Sequence, residues 1–353
     1  MDTPSMIYLR ADGNKEIASG HLMRCLTIAR ALKKKEILPV FLVSDTDSME
    51  LLQNMFTPEE KAAHAFPIIH LQTDYSDLEQ ELPVLEQILR TQPPECLLVD
   101  SYFATADYFE ALKGLCPIAY LDDLQAFDAP LDLVINYDLS PDTGFYQNAR
   151  RVLAGGAYTP LRDQFSLNQY HVWEKVKDVL ISTGATDPWY IAADLVTRLL
   201  DAPEWKDVCF HVITGPIHQS REKLLTLSET KECVVLHENV RDMAALMLEC
   251  DLAVSAGGTT LFELCAIGVP TVSFAFTDNH LPGIRDFAAA DLSPTLGDIR
   301  TDQNFMDHAQ ALLTDLAADR NRRADQSSRM RMAIDGAGAD RIAGALLKLK
   351  SRK

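Results

Sequence analysis

Residues 6–32 read MIYLRADGNKEIASGHLMRCLTIARAL, and the order of their physical characters decides the fold. Residues 6–10 are a short apolar run of the kind that forms a strand. A turn containing Gly13 and Asn14 follows, then Ser19-Gly20, then apolar residues at Leu22, Cys25, Leu26, Ala29 and Leu32 with helical spacing. Strand, small-residue loop and helix form the repeating unit of open α/β sheets, which bind ligands outside the carboxyl ends of their strands. His21 falls at the mouth of the helix. The positive field of a helix N-terminus disfavours imidazolium and keeps a neutral ring available as a base. Spacing alone reads a single histidine there as a capping or packing residue; the catalytic reading comes from the rest of the chain.

The alternation continues. Strands are expected at 39–43, 67–71, 96–100, 118–121 and 133–136, with helices over 22–34, 77–90 and 104–113, the pattern of βαβ units on a parallel sheet. AGGAYTPLRDQF (154–165) interrupts the rhythm. It restarts at 177–182, with further strands at 208–214, 234–236, 252–255 and 271–274. Helices are expected at 191–200, 241–249, 260–267 and 304–318. The expected architecture is α/β: two doubly wound Rossmann-like domains, 1–158 and 159–319, facing across a cleft. A helical segment, 320–353, is expected to pack back on the first domain.

With 353 residues and 47% hydrophobic content, the chain is long enough for two ordinary cores. Its net charge of −18 argues against nucleic acid and anionic lipid as partners, since both require a basic surface. A small anionic ligand is still compatible with that charge, provided backbone N–H groups bind it. No basic-then-apolar leader and no membrane-length run is visible, so a cytoplasmic protein is expected. Seven cysteines without a CxxC pair read as reduced thiols, with Cys96, Cys209, Cys250 and Cys265 inside apolar patterns. A monomer is expected.

A second constellation lies at 251–271, DLAVSAGGTTLFELCAIGVPT. An apolar strand ends at Ser255, and a helix begins after Gly257, Gly258, Thr259 and Thr260. Glycines let the backbone approach a ligand, and first-turn N–H groups without intrahelical partners bind phosphate oxygens. Glu263, one turn into the helix, is placed to accept the hydroxyls of a ribose. A companion loop, ISTGATDP (181–188), offers Thr183, Gly184 and Thr186 to a diphosphate, although Asp187-Pro188 is also an ordinary helix start.

Several chemistries are absent: there is no GxxxxGK[ST], no GxGxxG after the first strand, no GxSxG and no HExxH. Asp45-Thr46-Asp47 has the spacing of a metal-holding carboxylate pair, but it follows a strand where aspartates cap helices. No metal and no cofactor are expected. Asp122-Asp123, at the end of a strand, is the better functional pair.

On these residues the chain resembles a family of bacterial UDP-sugar hydrolases. They cleave UDP-2,4-diacetamido-2,4,6-trideoxy-β-L-altropyranose in pseudaminic acid biosynthesis. The family belongs to the metal-independent, inverting, GT-B-fold group that includes the N-acetylglucosaminyltransferase of peptidoglycan synthesis. The resemblance runs from about residue 6 to at least residue 290. It rests on RADGN and ASGHLMRC (within 10–25), DSY (100–102), YLDD (120–123), residues 158–165, TGATDP (183–188), AGGTTLFE (256–263) and FTDNH (276–280). It implies that His21 is the catalytic base and that Gly257 to Glu263 hold UDP. It places Asp12, Gly20, Tyr102, Asp122, Arg162 and Asn279 with the substrate. The family has Gly-Gly where this chain has Gly184-Ala185, and Asn-Gln where it has Asn279-His280.

The implied chemistry needs few groups. Hydrolysis of an ordinary glycoside needs an acid as well as a base, but UDP leaves readily and helix amides can stabilise its charge. One base that activates water then suffices. The same parts would serve an inverting glycosyltransferase with a soluble acceptor. A nucleotide-sugar-binding module without turnover is the reading from a different class, against which His21 argues.

Overall fold

The computed structural model describes residues 5–166 and 170–349. The chain forms two compact units, Met1–Arg162 with Ala337–Lys353, and Asp163–Gly336.

The first unit begins with β1 (Met6–Ala11), α1 (Gly20–Lys33), β2 (Leu38–Val43), α2 (Thr46–Met55), α3 (Pro58–Ala62) and β3 (Ile68–His70). It continues with α4 (Leu82–Thr91), β4 (Cys96–Asp100), α5 (Ala106–Leu112), β5 (Ile118–Leu121), β6 (Leu133–Asn136) and β7 (Val152–Ala154). The strands pair in parallel in the order β3-β2-β1-β4-β5-β6-β7. Both faces are covered, which is why β1 and β4 are apolar almost throughout. Ile7 and Leu9 pack with Leu26 and Ile28 of α1 on one face, and Tyr8, Leu97 and Val99 pack with Phe109 on the other.

The second unit begins with β8 (Asp178–Ser182), α6 (Ile191–Leu200), β9 (Cys209–Thr214), α7 (Arg221–Thr230), β10 (Val234–Glu238) and α8 (Met243–Glu249). Then come β11 (Leu252–Ala256), α9 (Thr259–Ile267), β12 (Thr271–Ala275), α10 (His280–Ala289), β13 (Thr295–Asp298), α11 (Phe305–Ala318) and α12 (Arg320–Ala333). Its parallel order is β10-β9-β8-β11-β12-β13. In both sheets the strand order reverses beside the first strand, between β1 and β4 and between β8 and β11. Such a reversal opens the crevice where doubly wound sheets bind ligands.

The expected C-terminal segment divides between the units. α12 stays with the second, where Gln326 Nε2 donates to the carbonyl of Thr271 at 2.7 Å and Cys265 Sγ lies 3.3 Å from the Met330 carbonyl. Only the following α13 (Gly338–Leu346) packs on the first unit, setting Ile342, Ala343 and Leu346 among the core residues of α1. The chain leaves the first unit at Arg162 and re-enters at Ala337, so the outer boundaries differ from 158/159 and 319/320. The interrupting stretch 154–165 forms two short 3-10 turns, Gly156–Tyr158 and Asp163–Phe165. All seven cysteines are free thiols; Cys209, expected inside an apolar pattern, is only half-buried because its face of β9 is partly open. Among the described residues no helix is long and apolar enough to cross a membrane.

Candidate active site

In the first unit, adjacent strand ends create a buried ion network. Ala11 of β1 lies opposite Asp100 of β4, so the loop leaving β1 returns in α1 directly over that carboxylate. His21, the second residue of α1, is 4% exposed, and its Nδ1 lies 2.6 Å from Asp100 Oδ1. Arg24 Nη2 lies 3.0 Å from the same nitrogen; because a carboxylate only accepts, the shorter Asp100 contact favours the tautomer protonated at Nδ1. Arg24, one turn further, donates from Nε and Nη2 to the two Asp100 oxygens at 2.5 Å each. Its Nη1 donates to Asp123 Oδ2 at 2.8 Å and to the Tyr137 hydroxyl at 2.5 Å.

Burial alone would raise the pKa of Asp100, but Arg24 and then His21 outweigh it, and the carboxyl sits well below the ordinary carboxylate range. Arg24 is correspondingly held as a cation: desolvation opposes its charge, and Asp100 and its other partners more than restore it. The Tyr102 ring meets His21 edge-on, with centroids 4.4 Å apart, and its hydroxyl donates to Asp123 at 3.3 Å. Burial of that hydroxyl and the Asp123 charge push its pKa up to about 12, so it stays protonated.

Two expected substrate residues are also bound within the unit. Asp12 bonds to the Arg10 guanidinium and accepts from the Ser44 amide at 2.8 Å, tying β1 to the end of β2. Arg10 is itself fully buried against Glu81. Asp122 accepts from the amides of Leu124 and Gln125 at 3.0 Å and from the Tyr146 hydroxyl at 3.0 Å, so it shapes the turn after β5. Its neighbour Asp123 is the one that faces Arg24 and Tyr102. Gly20 is exposed with open space around it, and Arg162, half-buried, ends the first unit. Arg24 and Asp100 lie inside the ASGHLMRC and DSY motifs but are not among the expected site residues. Arg24 had a signal, since three residues after His21 is the same helix face. Asp45 caps α2 through the Ser48 amide at 2.7 Å, the ordinary task of an aspartate after a strand.

In the second unit, three loops meet at the carboxyl ends of β8, β11 and β12. Gly258 caps α9 without a side chain, leaving first-turn N–H groups outward. A Cβ on Gly258 would meet nothing within 4 Å. Gly257 is required for a different reason from the expected ligand approach. A Cβ there would come within 2.7 Å of Ile284 and 3.0 Å of His280, so glycine lets α10 close on β11. Gly184, at φ +85°, sits in a turn that favours glycine, with the Phe276 ring against it. Phe276 also meets the His280 ring at 4.7 Å. Loops 183–186, 257–260 and 276–280 are thereby joined.

Thr186 is exposed, and its carbonyl accepts from Gln219 at 2.8 Å. Asp187, fully buried, accepts from the amides of Ile191 and Ala192; the helix itself starts later than Asp187-Pro188 suggested, at Ile191 with Tyr190 in the N-cap position. Thr259 and Thr260 form the first turn of α9, and Glu263, 8% exposed, follows on the same helix. Asn279 is exposed at the start of α10 and accepts from the Thr277 hydroxyl at 2.5 Å.

No family model matches the chain. It is 23% identical over 352 residues to the spore coat polysaccharide biosynthesis protein SpsG of Bacillus subtilis strain 168, spanning 96% of this chain and 97% of that protein. Its structure resembles Acinetobacter baumannii MurG, with a TM-score of 0.70 and 14% identity, over 98% of this chain and 100% of that one. It also resembles the spinosyn rhamnosyltransferase SpnG complexed with thymidine diphosphate. There the TM-score is 0.58 at 16% identity, over 96% of this chain and 100% of that one. At such identities the likeness establishes architecture: the chain is an α/β protein of two Rossmann-like, parallel-sheet domains of the GT-B class.

Proposed function

We propose that the protein is an inverting, metal-independent enzyme that transfers a sugar from a UDP-sugar to a hydroxyl acceptor. The carrying observation is His21, buried, with Nδ1 2.6 Å from Asp100, an arrangement that favours the tautomer in which Nε2 can accept a proton. His21 removes the proton of the incoming hydroxyl as its oxygen attacks the anomeric carbon. The bond from that carbon to the diphosphate oxygen breaks on the opposite face, and UDP leaves with the electron pair. The second unit supplies the nucleotide groups: α9 N–H donors for the diphosphate with Gly184 and Thr186 nearby, and Glu263 for the ribose. Tyr102, Gly20, Arg162 and Asn279 are assigned to the sugar. SpsG is named for polysaccharide biosynthesis and SpnG for rhamnosyl transfer, and both support a nucleotide sugar as substrate.

One observation favours a second reading, in which the acceptor is water. His21 is only 4% exposed and lies under the edge of Tyr102, which suits a nucleophile as small as water. That reading is hydrolysis of a UDP-linked diacetamido-trideoxyhexose for pseudaminic acid synthesis, as the motif resemblance implies. A panel of UDP-sugars in oxygen-18 water, with and without hydroxyl acceptors, separates the two. Transfer gives UDP only when an acceptor is present, with an inverted glycoside as co-product. Hydrolysis gives UDP without one and puts the label on the sugar. A panel from which no UDP is ever released rejects both.

Two further outcomes are expected. Activity survives excess EDTA, because amide donors at a helix N-terminus compensate the diphosphate and Asp45 is engaged as a cap. Loss of activity on chelation, restored by Mg²⁺ or Mn²⁺, would reject the metal-independent mechanism. Glu263→Ala weakens UDP by roughly 1.5–3 kcal/mol, the scale of a hydrogen bond to a charged group, and weakens 2′-deoxy-UDP much less. Calorimetric titration of both nucleotides decides it, since equal losses mean that Glu263 does not read the ribose.

A further inference from the structure

His280 has no role in the scheme above, yet it sits where the three loops of the second unit meet. It is the first residue of α10, its Cβ and carbonyl oxygen lie 3.0 and 3.1 Å from where a Gly257 Cβ would be, and its ring packs edge-on against Phe276. Phe276 in turn lies 3.4 Å from where a Cβ on Gly184 would be. Imidazoles that serve only the fold normally spend at least one nitrogen on a hydrogen bond. The Nδ1 of His280 is buried without a partner, and Nε2 is not among the buried, unpartnered atoms.

We propose that His280 takes up a proton when a nucleoside diphosphate binds in this unit, and pairs with the diphosphate as imidazolium. The inference rests on the nucleotide site proposed above and adds to it a cationic side chain that the glycine-threonine loop lacks. In the free protein the ring is held neutral, because burial and then the nearby Arg300 disfavour its charge. α10 packs on β12 and β13. β12 carries no charged residue, and the β13 end supplies Asp298 and Arg300, the latter bonded to Asp298 and Asp278. The remaining ionisable groups on its own helix and on α9 are Arg285, Asp286, Glu263 and the Cys265 thiol, which burial keeps neutral. The carboxylates beside Arg300 are thus already paired with it, and an arriving diphosphate would be the new negative charge at the ring. Its attraction acts at contact distance in a partly desolvated site, which outweighs the single N–H left unpaired at Nδ1.

The test is UDP binding to the full-length protein by calorimetry, in two buffers of different ionisation enthalpy, with wild type and His280→Gln. Wild type is expected to bind with net proton uptake, and to bind more weakly as pH rises from about 6.5 to about 8.5. The change, after subtracting that of His280→Gln, is roughly three- to fivefold, the part above pH 6.5 of the effect of one coupled proton whose pKa rises by one unit on binding. His280→Gln, a neutral donor of similar reach, is expected to bind UDP without the uptake. Wild-type binding with no proton uptake overturns this inference and leaves the nucleotide site standing, whether or not the variant folds. Equal uptake by a folded His280→Gln overturns it equally. A folded wild type that binds no UDP at all rejects the nucleotide site and the inference with it.

Discussion

Replacing His21 by Asn is expected to lower turnover by about 10²–10⁴, the usual worth of one positioned general base. UDP affinity should stay where it was. Asparagine fills nearly the same space at the start of α1 and can still bond to Asp100, but it cannot accept a proton from the attacking hydroxyl. The groups proposed for the nucleotide all belong to the second unit, so their binding energy is untouched. A fall in kcat and in kcat/KM together, with the UDP titration unchanged, is the signature of an interaction made in the transition state. Turnover within a few-fold of wild type would remove His21 from the base role. Arg24 retains both Asp100 and Asp123 in this variant, so the network that anchors α1 persists.

How far the sequence revealed this site depends on which physical signal each residue carries. Apolar runs bounded by turn residues located β4, β5, β6 and α6 to the residue, because strands and helices buried on this scale leave little freedom in pattern. α10 was hidden because its sequence, HLPGIRDFAA, carries Pro282 and Gly283, which read as loop. Proline in a first turn removes an N–H that has no intrahelical partner, so the helix tolerates it. β7 is only three residues long and β13 contains Gly297, so neither rises above its surroundings. The turn from Asp122 to Asp123 shows a different limit. Two adjacent carboxylates after one strand look alike in sequence, and the backbone of 122–125 determines that the first is spent on amides while the second reaches Arg24. Asp12 is similar, since nothing local announces that Arg10, two residues earlier, turns its charge into the core.

That buried network also makes the loss of Asp100 costly to the fold. Asp100 is fully buried, bonded to both His21 and Arg24, with Cys25 Sγ a further 3.6 Å contact. Asp100→Ala leaves the Arg24 guanidinium with Asp123, Tyr137 and His21 Nδ1, in a site where its side chain is 12% exposed. Removing one partner of a buried pair costs about 3–5 kcal/mol, and the low end is expected because Asp123 remains. The milder Asp100→Asn keeps the volume but offers an amide N–H that can donate to His21 Nδ1, favouring the tautomer whose Nε2 is protonated and useless as a base. It should therefore lose turnover on the scale of His21→Asn while losing less stability than the alanine variant.

The same carboxylate sets an acid limit. Its folded pKa lies well below the unfolded value of about 3.9, so its stabilisation is complete at neutral pH. That stabilisation is lost as pH falls below about 4 and on through the folded value. Asp100→Asn should remove this part of the dependence, so its deficit against wild type should narrow as pH drops from about 5 to about 2. Urea denaturation across that range measures it. A gap between the two proteins that stays constant with pH would show that Asp100 is not the carboxylate whose charge the fold requires.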